Sequence, residues 1–159
     1  MDDKQSKAAF VALSQALTGI AGSLLAPKLD SKNILQTIYT GFVNNAGPYA
    51  AQLILERFVS LQEQGQEQGL SDDVIAGRIL ADADNGPVAV AITKLWLLGN
   101  WYQAGSQTNP VVISSNAYIE GWAWKIAQAH PMGYSEMEPD YWADPPPPLS
   151  DYVTPPSQS

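Results

Sequence analysis

The sequence predicts an all-α fold: a small bundle of five to six helices with an extended, proline-rich C-terminal arm. Three observations predict it. Apolar residues recur at helical spacing through the first 130 residues, helix-start and helix-stop residues punctuate them, and eight of the twelve prolines fall in the last 29 residues. The 159 residues therefore divide into a helical domain, 1–130, and an arm, 131–159, that packs on the bundle or on a partner. A chain this long buries about 70% of its unfolded surface as one domain.

The first helix has Phe10, Leu13 and Leu17 on one face and stops at Thr18-Gly19. The next opens at Asp30 or Ser31, both good N-caps, and repeats Ile34, Leu35, Ile38, Phe42 and Val43. Pro48 suits a first helical turn, with Leu53, Ile54, Phe58 and Leu61 following. The polar near-repeat QEQGQEQG, Gln62 to Gly69, reads as a frayed end and flexible link.

Ser71-Asp72-Asp73 starts another helix, because acids there meet the positive end of the dipole; Val74, Ile75 and Ile79 give its apolar side. After Asn85-Gly86-Pro87, residues Val88, Ala91, Ile92, Leu95, Trp96 and Gly99 keep helical spacing for four intervals. Asn109-Pro110 breaks the chain, Val111–Ile113 reads as a short extended piece, and Ser115 to Ala129 as a further helix. Beyond Pro131, proline removes amide donors and fixes φ, so polyproline-like extension is expected, with Met132, Tyr134, Met137, Tyr141, Trp142 and Tyr152 threaded through it.

Composition excludes several functions. The net charge is −8, with only Arg57, Arg78 and six scattered lysines, which argues against nucleic acid and anionic membrane surfaces and suits solubility. No run approaches the roughly 20 apolar residues of a membrane span; Pro87 to Leu98 is broken by Thr93 and Lys94, so no direct membrane insertion is expected. With no cysteine, there is no disulfide, thiolate nucleophile, iron–sulfur cluster or Cys-type zinc site.

The candidate catalytic groups are weak. His130 is the single histidine, so a His-based triad or a two-His metal site cannot be built within the chain, and a helix-ending role is expected. Asp82-Ala83-Asp84-Asn85-Gly86 resembles the start of a calcium loop, but Gly86 is fifth rather than sixth and Thr93 stands where the glutamate belongs. The pairs Asp82/Asp84 and Glu136/Glu138 lie in polar surroundings with nothing to raise a pKa. No dinucleotide, phosphate-loop, nucleophile-elbow or zinc-protease motif is present, so no catalytic, metal or cofactor-binding residue is assigned.

Aromatic placement is the unusual feature. Trp122 and Trp124, two apart on a helix, point roughly 200° from one another. One can face the core; the other meets the chain's own tail, a partner or water. Trp96 and Trp101 raise the same question one helix earlier, and Trp and Tyr are enriched at protein interfaces.

Three blocks then carry a family resemblance. FVALSQALTG, Phe10 to Gly19, is similar to F-x-x-L-S-x-x-L-T-G at the opening of the small (gamma) subunit of bacterial membrane-bound FAD-dependent sorbitol, fructose and glucose dehydrogenases. ITKLWLLG, Ile92 to Gly99, is similar to that family's central I-x-x-A-W-Y-x-G. YSEMEPDYWADPP, Tyr134 to Pro146, is similar to its C-terminal Y-x-x-x-x-P-x-Y/F-W-x-x-x-P. Together they span most of the chain in the family's order.

The resemblance implies a non-catalytic subunit with no cofactor of its own. FAD is held by a partner of the glucose–methanol–choline type that oxidises the sugar or polyol, and a multihaem cytochrome c, carrying haem c, often takes the electrons as a third subunit. The small subunit assists folding, stability or export of the flavoprotein, so a periplasmic location is implied. Family members normally begin with a twin-arginine leader, whereas residues 1–9 read MDDKQSKAA. The absence of cysteine excludes a disulfide link to the large subunit. Motif matching and aromatic content mark Trp96, Trp101, Tyr102, Trp124, Tyr134, Tyr141, Trp142 and Pro145 as expected partner contacts. The competing expectation is a free-standing helical binding protein or chaperone; a small-ligand enzyme using the carboxylates is a third.

Overall fold

The computed structural model describes residues 1–103, 106, 108–133 and 148–152. Helix α1, Asp3–Thr18, starts in a reciprocal cap: Gln5 N donates to Asp2 Oδ1 at 2.7 Å and Asp2 N to Gln5 Oε1 at 3.0 Å. It stops where its pattern ends, at Gly19 with φ 71°. The short α2, Gly22–Leu25, turns the chain toward α3, Ile34–Ala46. The Asp30 carboxylate takes the free amides of Ile34 and Leu35 at 2.9 and 3.0 Å, so it caps α3 from four residues before the first helical turn.

Helix α4, Pro48–Gln68, is longer than the sequence suggests. QEQGQEQG is not a link but the last turns of this helix, and the reason is tertiary. Gly65 is buried, and a Cβ there would lie 2.9 Å from Ile75 Cδ1, so the missing side chain is what lets α5, Asp72–Leu80, approach. The stop falls instead at Gly69, φ 66°, with Leu70 N donating back to the Gly65 carbonyl.

Helix α6, Gly86–Leu98, is the hub. It contacts α1, α3, α4, α5 and α8, and seven of its residues, from Gly86 to Trp96, are buried. A helix apolar around most of its circumference belongs inside a bundle. Strands β1, Asn100–Trp101, and β2, Val111–Val112, pair antiparallel and form a two-strand ribbon. The expected helix from Ser115 to Ala129 is two short ones, α7, Ser115–Ile119, and α8, Trp122–Ile126. They part at Gly121, whose φ of −53° and ψ of 131° leave the helical region, and a Cβ there would sit 2.8 Å from the Leu97 carbonyl oxygen, so the approach of α6 requires glycine.

The chain is therefore all-α apart from that ribbon, a small bundle with five helices of nine or more residues among those described. One core joins them, with Phe10, Leu13, Phe42, Phe58, Ile92 and Leu95 fully enclosed. Each such side chain contributes about 1.5–3 kcal/mol. Among the described residues no helix is long and apolar enough to cross a membrane. Of the segment 131–159, the described part is residues 131–133 and 148–152; a 3-10 turn, Leu149–Asp151, brings Tyr152 against Trp122.

Candidate partner interface

The first two motif blocks meet inside the bundle. Phe10 stacks on Phe42 with centroids 4.9 Å apart and faces Trp96 at 6.0 Å, while Phe42 reaches Trp101 at 6.2 Å. Trp96 Nε1 donates to Ser14 Oγ at 2.8 Å, and that hydroxyl donates to the Phe10 carbonyl at 2.7 Å. Trp96 and Trp101 are 2% and 1% exposed. These two expected contact residues are thus core residues, because α6 and the ribbon point them at α1 and α3.

The other expected contacts fare differently. Tyr102 is half-buried beneath the Lys94 ammonium, 4.9 Å from its ring centroid. Trp124 is half-buried and already has a neighbour within the chain: Tyr118 lies edge-on at 5.4 Å, and Trp124 Nε1 donates to the Tyr118 carbonyl at 2.9 Å. Of the two tryptophans on α8, Trp122 faces inward, at 7% exposure. Tyr134, Tyr141, Trp142 and Pro145 lie outside the described residues.

A cleft of about 190 Å³ lies between the α2–α3 turn and the α7–α8 corner. Leu24, Leu25 and Ile34 form one wall, and Trp96 and Trp122 the floor. Leu29 stands on the rim with 86% of its surface in water, and Leu24 beside it is 40% exposed. Lys32 and Lys125 complete the rim and share one carboxylate: Lys125 Nζ lies 3.0 Å from Glu120 Oε2, and Lys32 pairs with Glu120 Oε1. Burial pushes the Glu120 carboxyl up, but the hydrogen bonds and charges of Lys32 and Lys125 outweigh it and hold the group below the ordinary carboxylate range.

Lys125 also lies over the Trp122 ring, 4.8 Å from its centroid, and Tyr152 meets the same ring edge-on at 6.1 Å. Among the side chains described in 148–152, those of Pro148, Ser150 and Asp151 are exposed and Tyr152 is partly buried. One partly buried aromatic pair contributes about 1–2 kcal/mol. Ordering a single backbone residue costs about the same.

A second, shallower groove of about 390 Å³ runs between α3 and β2, lined by Thr37, Asn44, Asn45, Val111 and Val112 and by no charged side chain. The carboxylates at 82 and 84 form no site. Asp82 Oδ1 accepts from the backbone N–H groups of Asp84 and Asn85, both at 3.1 Å, and from Asn85 Nδ2. The Asn85 and Asp84 amides hold its pKa down, against a small opposing effect of burial, with Arg57 adding to them. That is a turn device before α6. Among the described residues no group of three or more His, Cys, Asp or Glu could hold a metal ion.

The arrangement suits binding rather than bond-making: an aromatic floor, an apolar wall and a polar rim are how protein interfaces are built. Sequence reasoning missed Leu29, Lys32, Glu120 and Lys125, which only the fold brings together. For Trp122 the signal was the offset from Trp124, which required one of the pair to turn inward. No protein-family model, curated protein or solved structure matches this chain.

Proposed function

We propose that this chain is the non-catalytic small subunit of an FAD-dependent sugar or polyol dehydrogenase complex, binding the flavoprotein and assisting its folding, stability or export. The observation that carries the reading is the ordered set of three motif blocks, together with what the first two do. Phe10, Ser14 and Trp96 form one buried contact, which gives blocks 82 positions apart a reason to occur together. The cleft over Trp122, with Leu29 waiting at its rim, supports a protein partner on the α7–α8 side. In this reading FAD belongs to the glucose–methanol–choline partner, haem c to a third subunit, and the assembly to the periplasm.

The contacts proposed for the flavoprotein are Tyr102, Trp124 and the cleft rim, with Tyr134, Tyr141, Trp142 and Pro145 of the third motif block. Trp142→Ala is expected to weaken the complex. Co-expression with the flavoprotein encoded beside this chain, followed by size-exclusion chromatography read at protein and flavin absorbance, tests the reading. Co-elution of flavin with this chain, and a flavoprotein that is insoluble or flavin-free alone, supports it. A chain that elutes alone beside a fully active flavoprotein rejects it and leaves the free-standing binding protein, for which the same cleft would serve.

A further inference from the structure

We propose that residues 148–152 are a cis-acting cover for the Trp122 end of the cleft, and that the partner protein displaces them when it binds. The identity of the partner rests on the subunit reading; the cover does not. The segment closes on itself, with Asp151 N donating to the Pro148 carbonyl at 3.0 Å, and so presents Tyr152 as a single projecting ring. That ring sits edge-on to Trp122 at 6.1 Å, with an interplanar angle of 71°. Trp122, like Trp96, belongs both to the core and to the cleft floor.

Two features argue for a removable cover rather than fixed packing. Of the four side chains described in this segment, Tyr152 is partly buried, while Pro148, Ser150 and Asp151 are exposed. Local stability follows the number of buried apolar contacts, so this segment opens before any helix does. The cleft also offers more apolar surface than Tyr152 covers, since Leu29 at 86% and Leu24 at 40% exposure remain in water at its rim. A larger occupant covers both leucines and the Trp122 edge at once, and gains on exchange.

The cover also describes the occupant. Asp151 precedes Tyr152, and the cleft that Trp122 lines has Lys32 and Lys125 in its lining as well. The matching ligand is a protein segment that presents an aromatic side chain next to an acidic one, with further apolar residues for Leu24 and Leu29.

The test uses the full chain as Tyr152→Ala and Tyr152→Phe, the second keeping the edge-on ring. Acrylamide quenching of tryptophan fluorescence should rise in Tyr152→Ala and stay at the wild-type level in Tyr152→Phe. Titration into the flavoprotein should give several-fold tighter binding for Tyr152→Ala, since apparent affinity is reduced by the fraction of time a site is closed. Quenching unchanged in Tyr152→Ala overturns the cover, and so does binding that is unchanged or weaker. If neither wild type nor variant binds the flavoprotein, the subunit reading fails, and the quenching difference alone decides the cover.

Discussion

Trp96 Nε1 donates to Ser14 Oγ at 2.8 Å in the centre of the bundle, joining helices whose contacting residues are 82 positions apart. Ser14 is 0% exposed, so the pair is a polar link in an apolar core, and its hydroxyl also donates, to the Phe10 carbonyl. Removing Ser14 strands the Trp96 N–H.

Ser14→Ala leaves the Trp96 N–H buried without an acceptor and is expected to cost about 1–3 kcal/mol. Trp96→Phe adds a cavity, but Ser14 keeps its bond to Phe10, and the double variant should lose less than the sum of the two by about 1 kcal/mol. Trp101 is the control: its Nε1 is buried and has no hydrogen-bond partner, so Trp101→Phe removes an unsatisfied donor as well as volume. It should be the milder Trp→Phe substitution by about 1 kcal/mol. Urea unfolding of the five proteins measures all of this; equal losses for both Trp→Phe variants would remove the role given to Ser14.

Three glycines should respond in three ways. At Gly99, φ is 68° and a Cβ would lie 2.1 Å from the Ala117 carbonyl oxygen, so Gly99→Ala forces α6 and α7 apart. A loss of about 3 kcal/mol or more is expected, from backbone strain plus a clash with main chain. Gly65→Ala meets the end of a flexible Ile75 side chain, and Ala's better helix propensity offsets part of the cost, leaving a loss under about 1.5 kcal/mol. Gly77 lies inside α5 with nothing near its would-be Cβ, so Gly77→Ala should stabilise by about 0.5–1 kcal/mol. Thermal melts rank the three.

Acid should loosen the molecule through two carboxylates. Asp82 and Glu120 are both held below their ordinary pKa in the folded chain, so folding favours their charged forms. Their stabilising contribution is complete above the unfolded values of about 4 and is lost as the pH falls through the lower folded values. Both groups are partly solvated, so each effect is small. Glu120→Gln should flatten the fall of stability with acid below about pH 4. An unchanged slope would show that the Lys32–Glu120–Lys125 bridge is open in solution.

Much of this fold was legible in the sequence because its cues are local. Phe10, Leu13 and Gly19 mark α1, Pro48 opens α4, Ser71-Asp72-Asp73 opens α5, and the Val88-to-Gly99 spacing marks α6. The misses are places where a distant residue decides. Gly65 looks like a flexible joint until Ile75 is seen to need its missing side chain, and the close approach of the Leu97 carbonyl to Gly121 is set by α6 from more than twenty residues away. Aromatic content misled for Trp96 and Trp101, since composition says how much ring there is and not which way it points. The helical spacing of Trp96 with Ile92 and Val88 already placed it on the buried side. The cleft was invisible for a similar reason: Leu29 and Lys32 come from one end of the chain, and Glu120, Trp122 and Lys125 from the other.

The most direct measurement is the affinity of the flavoprotein for wild-type chain and for Leu29→Glu, by titration followed through flavin fluorescence. Leu29 is 86% exposed, so the substitution leaves the bundle intact and thermal stability should not move. The account predicts a stable complex with wild type and a loss of about tenfold or more in affinity for the variant, the scale of a central interface residue. No complex with wild type would contradict the subunit reading, and equal affinity for the two proteins would move the interface away from the cleft.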